Sequence, residues 1–565
     1  MLNILIFFLF FYLLLISVIG YGFLFQNIFL KKIKNLDDQK IIYTGFYGLF
    51  SLTFISIFSS LFFSHNFTHN LLLHFFGILS FLIIQIENKK EFLKNIFYIS
   101  IFTILAILIS KTHDDFSYYH LPFTKFLTEN HIIFGMGHLN LGYNFLSSLF
   151  FLNSTFYLPF INLYSFHFSI IFFLIFFNYF LLKEIFYNSI NIFFKYFYLL
   201  AFVFFNLSFN RLSEYGMDKP GQLLIVILVL KLFEVVISEK KTTNGLDLLI
   251  LLPLLGLCIS TKTYFLSYIL LSFSMFFLKE NFYNLLKIIF FSLSFFSFAL
   301  IIIFMFLHHF ISTGCIISPL PYLCFSDIFD WSRSLDDVKD LAIWLEQWSK
   351  AGAGPDFRID NVNEYIKNFN WLSNWYKMYF LVKVLDQIGI YVASILIIFF
   401  ISKKFSFSKS NIFFYKKFLV FYCLLFIIFF IWFTNHPALR YGGYSISFLI
   451  ISFPIVLFLS SISDKKNFLL NFKYLIVVVI FIVNFKNFNR IGDEFKRNDL
   501  YKYSDFPFFS IAKKDYREVE YDNGLKIFSA HHCWATPTPC GNIGDNISVV
   551  KKNNYFFINI KKFTN

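Results

Sequence analysis

The chain has 565 residues, of which 58% are hydrophobic, 23% aromatic and only 15% charged. That composition excludes an ordinary soluble domain and places the chain in lipid. The net charge of +14 does not point to nucleic acid, because Lys and Arg fall largely in short loops between apolar stretches, the pattern of cytoplasmic anchoring.

The N-terminal stretch MLNILIFFLFFYLLLISVIGYGFLF lacks the basic region and small-residue cleavage site of a signal peptide. It reads as a retained first spanning helix with its N-terminus outside. A helix needs roughly 20 apolar residues to cross ~30 Å of hydrocarbon. By that measure the spans are 4–26, 41–63, 70–87, 95–110, 156–182, 193–210, 221–238, 246–260, 264–279, 285–308, 378–402, 417–434, 442–462 and 471–485. The expected fold is an all-α polytopic membrane protein of about 12–14 transmembrane helices. The 91 Phe suggest an AT-rich genome in which Phe replaces Leu as packing and lipid-facing residue.

Alternation along the chain puts the basic loops at 31–35, 87–95, 238–241, 279–287, 402–417 and 463–473 on one side, which is then cytoplasmic. The other side receives 64–70, 111–155, 211–221, 309–377, 434–442 and the tail from 486. Lys486, Arg490, Lys496 and Arg497 at the tail's start run against the charge rule, but long tails translocate largely regardless of charge. The expectation is a core over 1–485, with outer loops 111–155 and 309–377, and a small periplasmic C-terminal tail over 486–565. The tail reads either as a small β-containing lid or as a disordered end. The setting expected is a bacterial inner membrane.

Four cysteines fall in two close pairs on the predicted outer side, Cys315 with Cys324 and Cys533 with Cys540. Such pairing suits disulfides in an oxidising exterior. His531 and His532 beside CWATPTPC leave a zinc site open as the alternative. Cys258 and Cys423 lie within spans and read as packing residues. The 309–377 loop carries five tryptophans, and its stretch 336–350 has helical spacing with charge on one face, suited to a membrane interface.

The strongest chemical signal is KTHDDFSYYHLP, Lys111 to Pro122, just past the fourth span. Adjacent carboxylates near low dielectric cannot both ionise freely, so one of Asp114 and Asp115 should titrate high. Either is a candidate general base, and the pair is a candidate divalent-cation site for Mg or Mn. A helix-capping role is the plainer reading. Tyr118, Tyr119 and His120 follow as hydrogen-bonding candidates, with Lys111 and Lys125 as positive charges. The segment with Gly135, Gly137, His138, Asn140, Gly142 and Asn144 reads as a re-entrant or surface element lining a cavity, or as a plain connection. A second charged outer turn, RLSEYGMDKPGQ, offers Arg211, Glu214, Asp218 and Lys219, with a simple hairpin as the alternative. Lys262 marks a brief outer turn and His436, Arg440 and Tyr441 another, where Arg440 either binds phosphate or anchors a helix at headgroups. There is no HExxH, P-loop or GxSxG, nor an intramembrane row of carboxylates as in a proton relay.

The acidic pair in the first long outer loop resembles that of the GT-C class of polytopic membrane glycosyltransferases. The resemblance rests on Asp114 and Asp115 in HDDFSYYHLPFTKFL and on the topology. It implies a sugar donor on a polyprenyl-phosphate carrier and an envelope glycan, lipid or protein as acceptor. Asp114 or Asp115 is then the base, with inversion at the anomeric carbon. Asp218 and Arg440 resemble elements set near donor phosphate, where Lys219 and Lys262 would also act. The competing expectations are a transporter or flippase for lipid-linked sugars, and an O-antigen ligase or polymerase, although Arg is scarce for the latter.

Overall fold

The computed structural model describes residues 2–30, 41–108, 113–186, 191–209, 216–237, 244–277, 282–354, 359–401, 412–462, 468–497, 511–512, 514–543 and 547–560. Long apolar runs become helices because lipid offers no partner for a free peptide group. The first are α1 (Leu2–Phe29), α2 (Thr44–Ser59), α3 (Phe67–Ile83) and α4 (Lys89–Thr103). Two short helices, α5 (Leu121–Glu129) and α6 (Ser148–Ser154), lead to α7 (Phe168–Phe186), α8 (Ile192–Ser208), α9 (Asp218–Ile237) and α10 (Asn244–Thr261). A 3-10 stretch over Thr263–Phe277 precedes α11 (Phe282–Phe290) and α12 (Leu293–Thr313). Next come α13 (Leu335–Lys350), α14 (Val362–Ile366) and α15 (Leu372–Trp375). The last helices are α16 (Leu385–Ile401), α17 (Ile412–Asn435), α18 (Gly443–Ile462) and α19 (Phe468–Arg497).

Among the described residues, nine helical stretches are long and apolar enough to cross a membrane, and four shorter apolar helices accompany them. The protein is an integral membrane protein. The expected span at 95–110 is instead α4, whose first turns carry Lys89, Lys90, Glu91 and Lys94. α19 does not stop at 485 but continues to Arg497, so the helical part extends into what the sequence assigns to the tail. Most of the basic loops that set the sidedness argument lie partly or wholly outside the described residues.

Packing separates a centre from a rim. In the most apolar part of the stretch ending in α7, 94% of the residues are buried, whereas in that of the stretch spanning α15 and α16 only 17% are, and its side chains turn outward. Lipid is as apolar as Phe, so helix association here rests on close fit rather than on escape from water. α1 and α3 show this. A Cβ on Gly20 would stand 1.9 Å from the carbonyl oxygen of Gly77, so only glycine allows the two backbones to touch.

The expected all-α architecture holds for the bundle, but one end carries two three-stranded sheets. In the first, β1 (Ile133–Phe134) lies parallel to β6 (Tyr555–Ile560), which pairs antiparallel with β5 (Ile547–Lys552). In the second, β2 (Arg517–Glu520) pairs antiparallel with β3 (Lys526–Ser529), and β3 runs parallel to β4 (Cys540–Gly541). The tail is thus folded onto the 111–155 segment through a shared sheet. Cys315 is bonded to Cys324 and Cys533 to Cys540.

Candidate functional site

Four charged side chains from four separate segments meet at the end of the bundle that carries the sheets. Asp114 and Asp115 open the helical run that continues through a π-helical turn at Phe116–His120 into α5. Asp218 stands in the first turn of α9, where a carboxylate complements the positive end of the helix. Lys262 follows α10, and Arg440 lies in a 3-10 turn, Leu439–Tyr441, between α17 and α18.

The Arg440 turn is held from every side. Trp375 Nε1 donates to the Pro437 carbonyl at 2.9 Å, and Trp432 Nε1 to that of Ala438 at 3.2 Å. The Leu439 amide donates to the Tyr379 hydroxyl at 2.7 Å, while Gln222 Nε2 donates to the Leu439 carbonyl at 3.3 Å. Gly442, at φ +86°, closes the turn in a conformation other residues rarely adopt.

From that fixed turn the guanidinium forks between two carboxylates. Arg440 Nη2 is 2.8 Å from Asp115 Oδ2, and Nε is 3.1 Å from Asp218 Oδ2. Lys262 Nζ completes the group by pairing with Asp218 Oδ1 and donating to the Arg440 carbonyl at 3.2 Å. The Lys262 ammonium lies 4.2 Å from the centre of the Tyr441 ring, and the Arg440 guanidinium 5.6 Å from that of Trp348. Two carboxylates and two cations leave the quartet formally neutral. All four side chains keep some solvent contact, between 18% and 27%, so the quartet is not a sealed core.

A raised carboxyl is expected at one of Asp114 and Asp115, and Asp115 is not that one. Burial raises its carboxyl, but the guanidinium of Arg440, with His120 and His113 behind it, outweighs burial and holds it below the ordinary carboxylate value. Lys262 moves the other way: burial lowers its ammonium and Asp218 only partly restores it. Burial also takes the imidazoles of His120 and His436 down to about 4, so both are neutral near pH 7.

Asp114 departs from the expected pair. Its side chain is exposed, while Asp115 next to it enters the quartet. Neighbours on a helix point about 100° apart, so only one of them enters the quartet. Among the described residues no group of three or more His, Cys, Asp or Glu is placed to hold a metal ion. Lys125 does not join the quartet. It pairs with Glu129 at 2.8 Å and donates to the Thr536 carbonyl at 2.8 Å, tying α5 to the tail. Lys219, next to Asp218, sets its ammonium 5.7 Å from the centre of the Phe209 ring. Lys111, Arg211 and Glu214 lie outside the described residues.

Tyr119 and His120 are buried behind Asp115, while Tyr118 is half-buried and faces His531 and His532, its ring centre 5.8 Å from each. Those histidines precede and adjoin the loop closed by Cys533–Cys540. Ser117 Oγ lies 2.9 Å from His532 Nδ1, and the Trp534 amide donates to the Ser117 carbonyl at 2.9 Å. The glycine-containing segment is tied to its neighbours by side-chain hydrogen bonds. Asn140 Nδ2 donates to the Tyr118 carbonyl, Tyr143 OH to that of Cys540, and Asn144 Oδ1 accepts from Arg333.

Sequence reasoning missed a second charged group, buried among helices. Lys231 pairs with Glu184 at 2.6 Å and with Glu234 at 2.8 Å, and the Tyr198 hydroxyl reaches Glu234 at 3.5 Å. The signal was there: Lys231 and Glu234 stand three apart in an otherwise apolar run, on one helix face.

A family model described as a domain of unknown function, DUF8201, matches residues 1–447. The chain belongs to that family. The matched region contains the whole quartet, whereas the tail that folds against Ser117 lies beyond it. No curated protein and no solved structure matches the chain.

Proposed function

We propose that the protein is a membrane glycosyltransferase that moves a sugar from a polyprenyl-phosphate carrier to a hydroxyl of an envelope glycan, lipid or protein. The observation that carries this reading is the shared guanidinium. Arg440 forks between Asp115 and Asp218, and phosphate is the ligand whose geometry best competes for such a fork. With the phosphate of the donor in the cleft, Arg440 and Lys262 turn toward it. Asp115 then loses the partner that holds its titration low and becomes a stronger base.

The step follows from these roles. Asp115 takes the proton of the acceptor hydroxyl, the oxygen attacks the anomeric carbon, and the bond from that carbon to the phosphate oxygen breaks. The polyprenyl phosphate leaves with the electron pair, its charge met by Arg440 and Lys262. Attack from the face opposite the leaving group inverts the anomeric centre. Asp218 keeps both cations in place and Trp348 and Tyr441 supply an apolar wall for the sugar. A fixed base contributes roughly 10²–10⁴-fold.

A transporter of lipid-linked sugars is the second reading, favoured by the Glu184–Lys231–Glu234 group, since charges buried among spanning helices are often part of a transport path. One experiment separates the two. Purified protein is incubated with radiolabelled polyprenyl-phosphate sugars and membrane extract. Transfer of label to an acceptor, lost in Asp115→Asn but retained in Asp114→Asn, supports the enzyme. Movement of intact donor across vesicles without bond cleavage refutes it.

A further inference from the structure

Away from the quartet, a cleft of about 370 Å³ lies between α4, α7, α8 and the middle of α19. Its flank is lipid-facing: Tyr98 and Phe102 on α4, which line it, are about half exposed, and Phe481 and Phe485 beside it on α19 are more so. Anything that enters from that side comes from the bilayer.

The polar groups of the lining are nearly all taken up by one another or by nearby carbonyls. Asn178 and Asn206 exchange amide hydrogen bonds at 2.9 and 2.7 Å, Asn484 donates to the Ile480 carbonyl, and Thr103 to that of Ile99. Tyr179 is the exception. The residue is 2% exposed and its hydroxyl has no hydrogen-bond partner among the described residues. A buried hydroxyl without a partner is costly in an apolar setting, which marks it for an acceptor brought by a ligand.

The mouth is basic. Lys183 stands one helical turn from Tyr179 on the same face of α7, ~6 Å along the axis. Its ammonium is 2.7 Å from Glu91 and still 35% exposed, and Lys94 is exposed beside Tyr98. Lys94 and Lys183 against Glu91 leave a surplus positive charge.

We propose that this cleft is a site for one anionic glycerophospholipid. Its phosphate sits between Lys183 and Lys94, and an ester carbonyl one turn deeper accepts from the Tyr179 hydroxyl. An acyl chain runs along the apolar walls past Val479 and Val483. The one-turn offset between cation and hydroxyl fits the spacing of phosphate and ester in such a lipid, and a cavity of this size takes one chain and not a whole lipid. The site stands apart from the quartet and does not depend on the reaction proposed there.

The test is native mass spectrometry of the full chain in detergent, titrated with phosphatidylglycerol or with phosphatidylcholine of the same chains. The expected result is a single retained phosphatidylglycerol, with phosphatidylcholine weaker by about tenfold, the scale of one charge-assisted contact. Lys94→Gln with Lys183→Gln should remove that preference while the weaker phosphatidylcholine adduct stays. Tyr179→Phe should weaken both lipids alike, since both carry the ester, and Glu91→Gln should leave phosphatidylglycerol as tight or tighter. Val483→Trp, filling the cleft, should abolish the adduct while helix content and unfolding stay unchanged. Equal affinity for the two lipids overturns the proposal, as does an adduct that survives Val483→Trp, which then belongs to the outer lipid ring. Absence of any retained lipid overturns it as well.

Discussion

Arg440 is the hub of the quartet, and that asymmetry can be measured. Arg440→Gln leaves two carboxylates, Asp115 and Asp218, with one cation, Lys262, whereas Asp115→Asn leaves Arg440 still paired to Asp218. Removing one partner of a fully buried pair costs about 3–5 kcal/mol. These side chains retain about a quarter of their exposure, so solvent screens them and about 1–3 kcal/mol is the better scale for Arg440→Gln. Asp115→Asn should cost about 1 kcal/mol or less, because the amide can still accept from the guanidinium. The double variant should be more stable than the sum predicts by about 1 kcal/mol, since loss of Arg440 strands one charge fewer once the carboxylate of Asp115 is gone. Unfolding of the purified protein in mixed micelles gives the three differences. Additivity within about 0.5 kcal/mol would mean that Asp115 and Arg440 do not meet, and the geometry of the site would be wrong.

Further outcomes follow from the same contacts. Because Asp115 titrates below its ordinary value when folded, its contribution is complete above that ordinary value and is lost as pH falls through the lower folded one; unfolding at pH 5 and pH 3 should differ less in Asp115→Asn than in the parent. The imidazoles of His120 and His436, taken down to about 4 by burial, bind protons more readily in the unfolded chain, so stability should decline as pH falls from about 6.5 toward 4, and His436→Gln should flatten that slope. Replacing Cys533 and Cys540 by Ser should free the loop that holds Ser117 and cost about 2–3 kcal/mol of loop-closure entropy, read as faster proteolytic removal of the tail with the helical bundle intact. Single cysteines placed at Asp114 and at Asp336, both exposed at the quartet's end, should react with an impermeant reagent from the same side of sealed vesicles, and one at Lys94 from the other.

Much of the helical framework was legible because the period and length of apolar runs report directly on burial in lipid, as in α1, α9 and α18. The same code fails at α4, where Lys89, Lys90 and Glu91 begin a helix whose later turns are apolar, and at α19, where the polar turns after 485 continue a helix that hydropathy alone would stop. Asp115, Asp218, Lys262 and Arg440 could each be singled out as charges in short connections. Which of them meet is set by helix rotation and by the anchoring of the 436–442 turn through Trp375, Tyr379 and Gln222, and none of that has a local signature. The preference for Asp115 over Asp114 is of this kind. So is the docking of the tail, which depends on β1 pairing with β6 across a long separation in sequence.

The quartet also constrains how any anionic ligand can enter. In the resting arrangement every charge is engaged: Arg440 on two carboxylates, Lys262 on one carboxylate and a carbonyl. A ligand phosphate must therefore displace a carboxylate from a cation, and the easier displacement is at Asp115. Asp218 is held by both cations and by the start of α9, whereas Asp115 has Arg440 alone with His113 at 3.5 Å. Binding then frees Asp115 and keeps Asp218, which orders the cations, a division of labour that two equivalent carboxylates could not provide. It follows that Asp218→Asn should disorder both Lys262 and Arg440 and weaken phosphate-ester binding, whereas Asp115→Asn should leave binding intact or tighten it by removing the competitor. Isothermal titration with a short-chain polyprenyl phosphate distinguishes the two. If Asp115→Asn weakens binding as much as Asp218→Asn does, the carboxylates are equivalent and the proposed exchange at Arg440 does not occur.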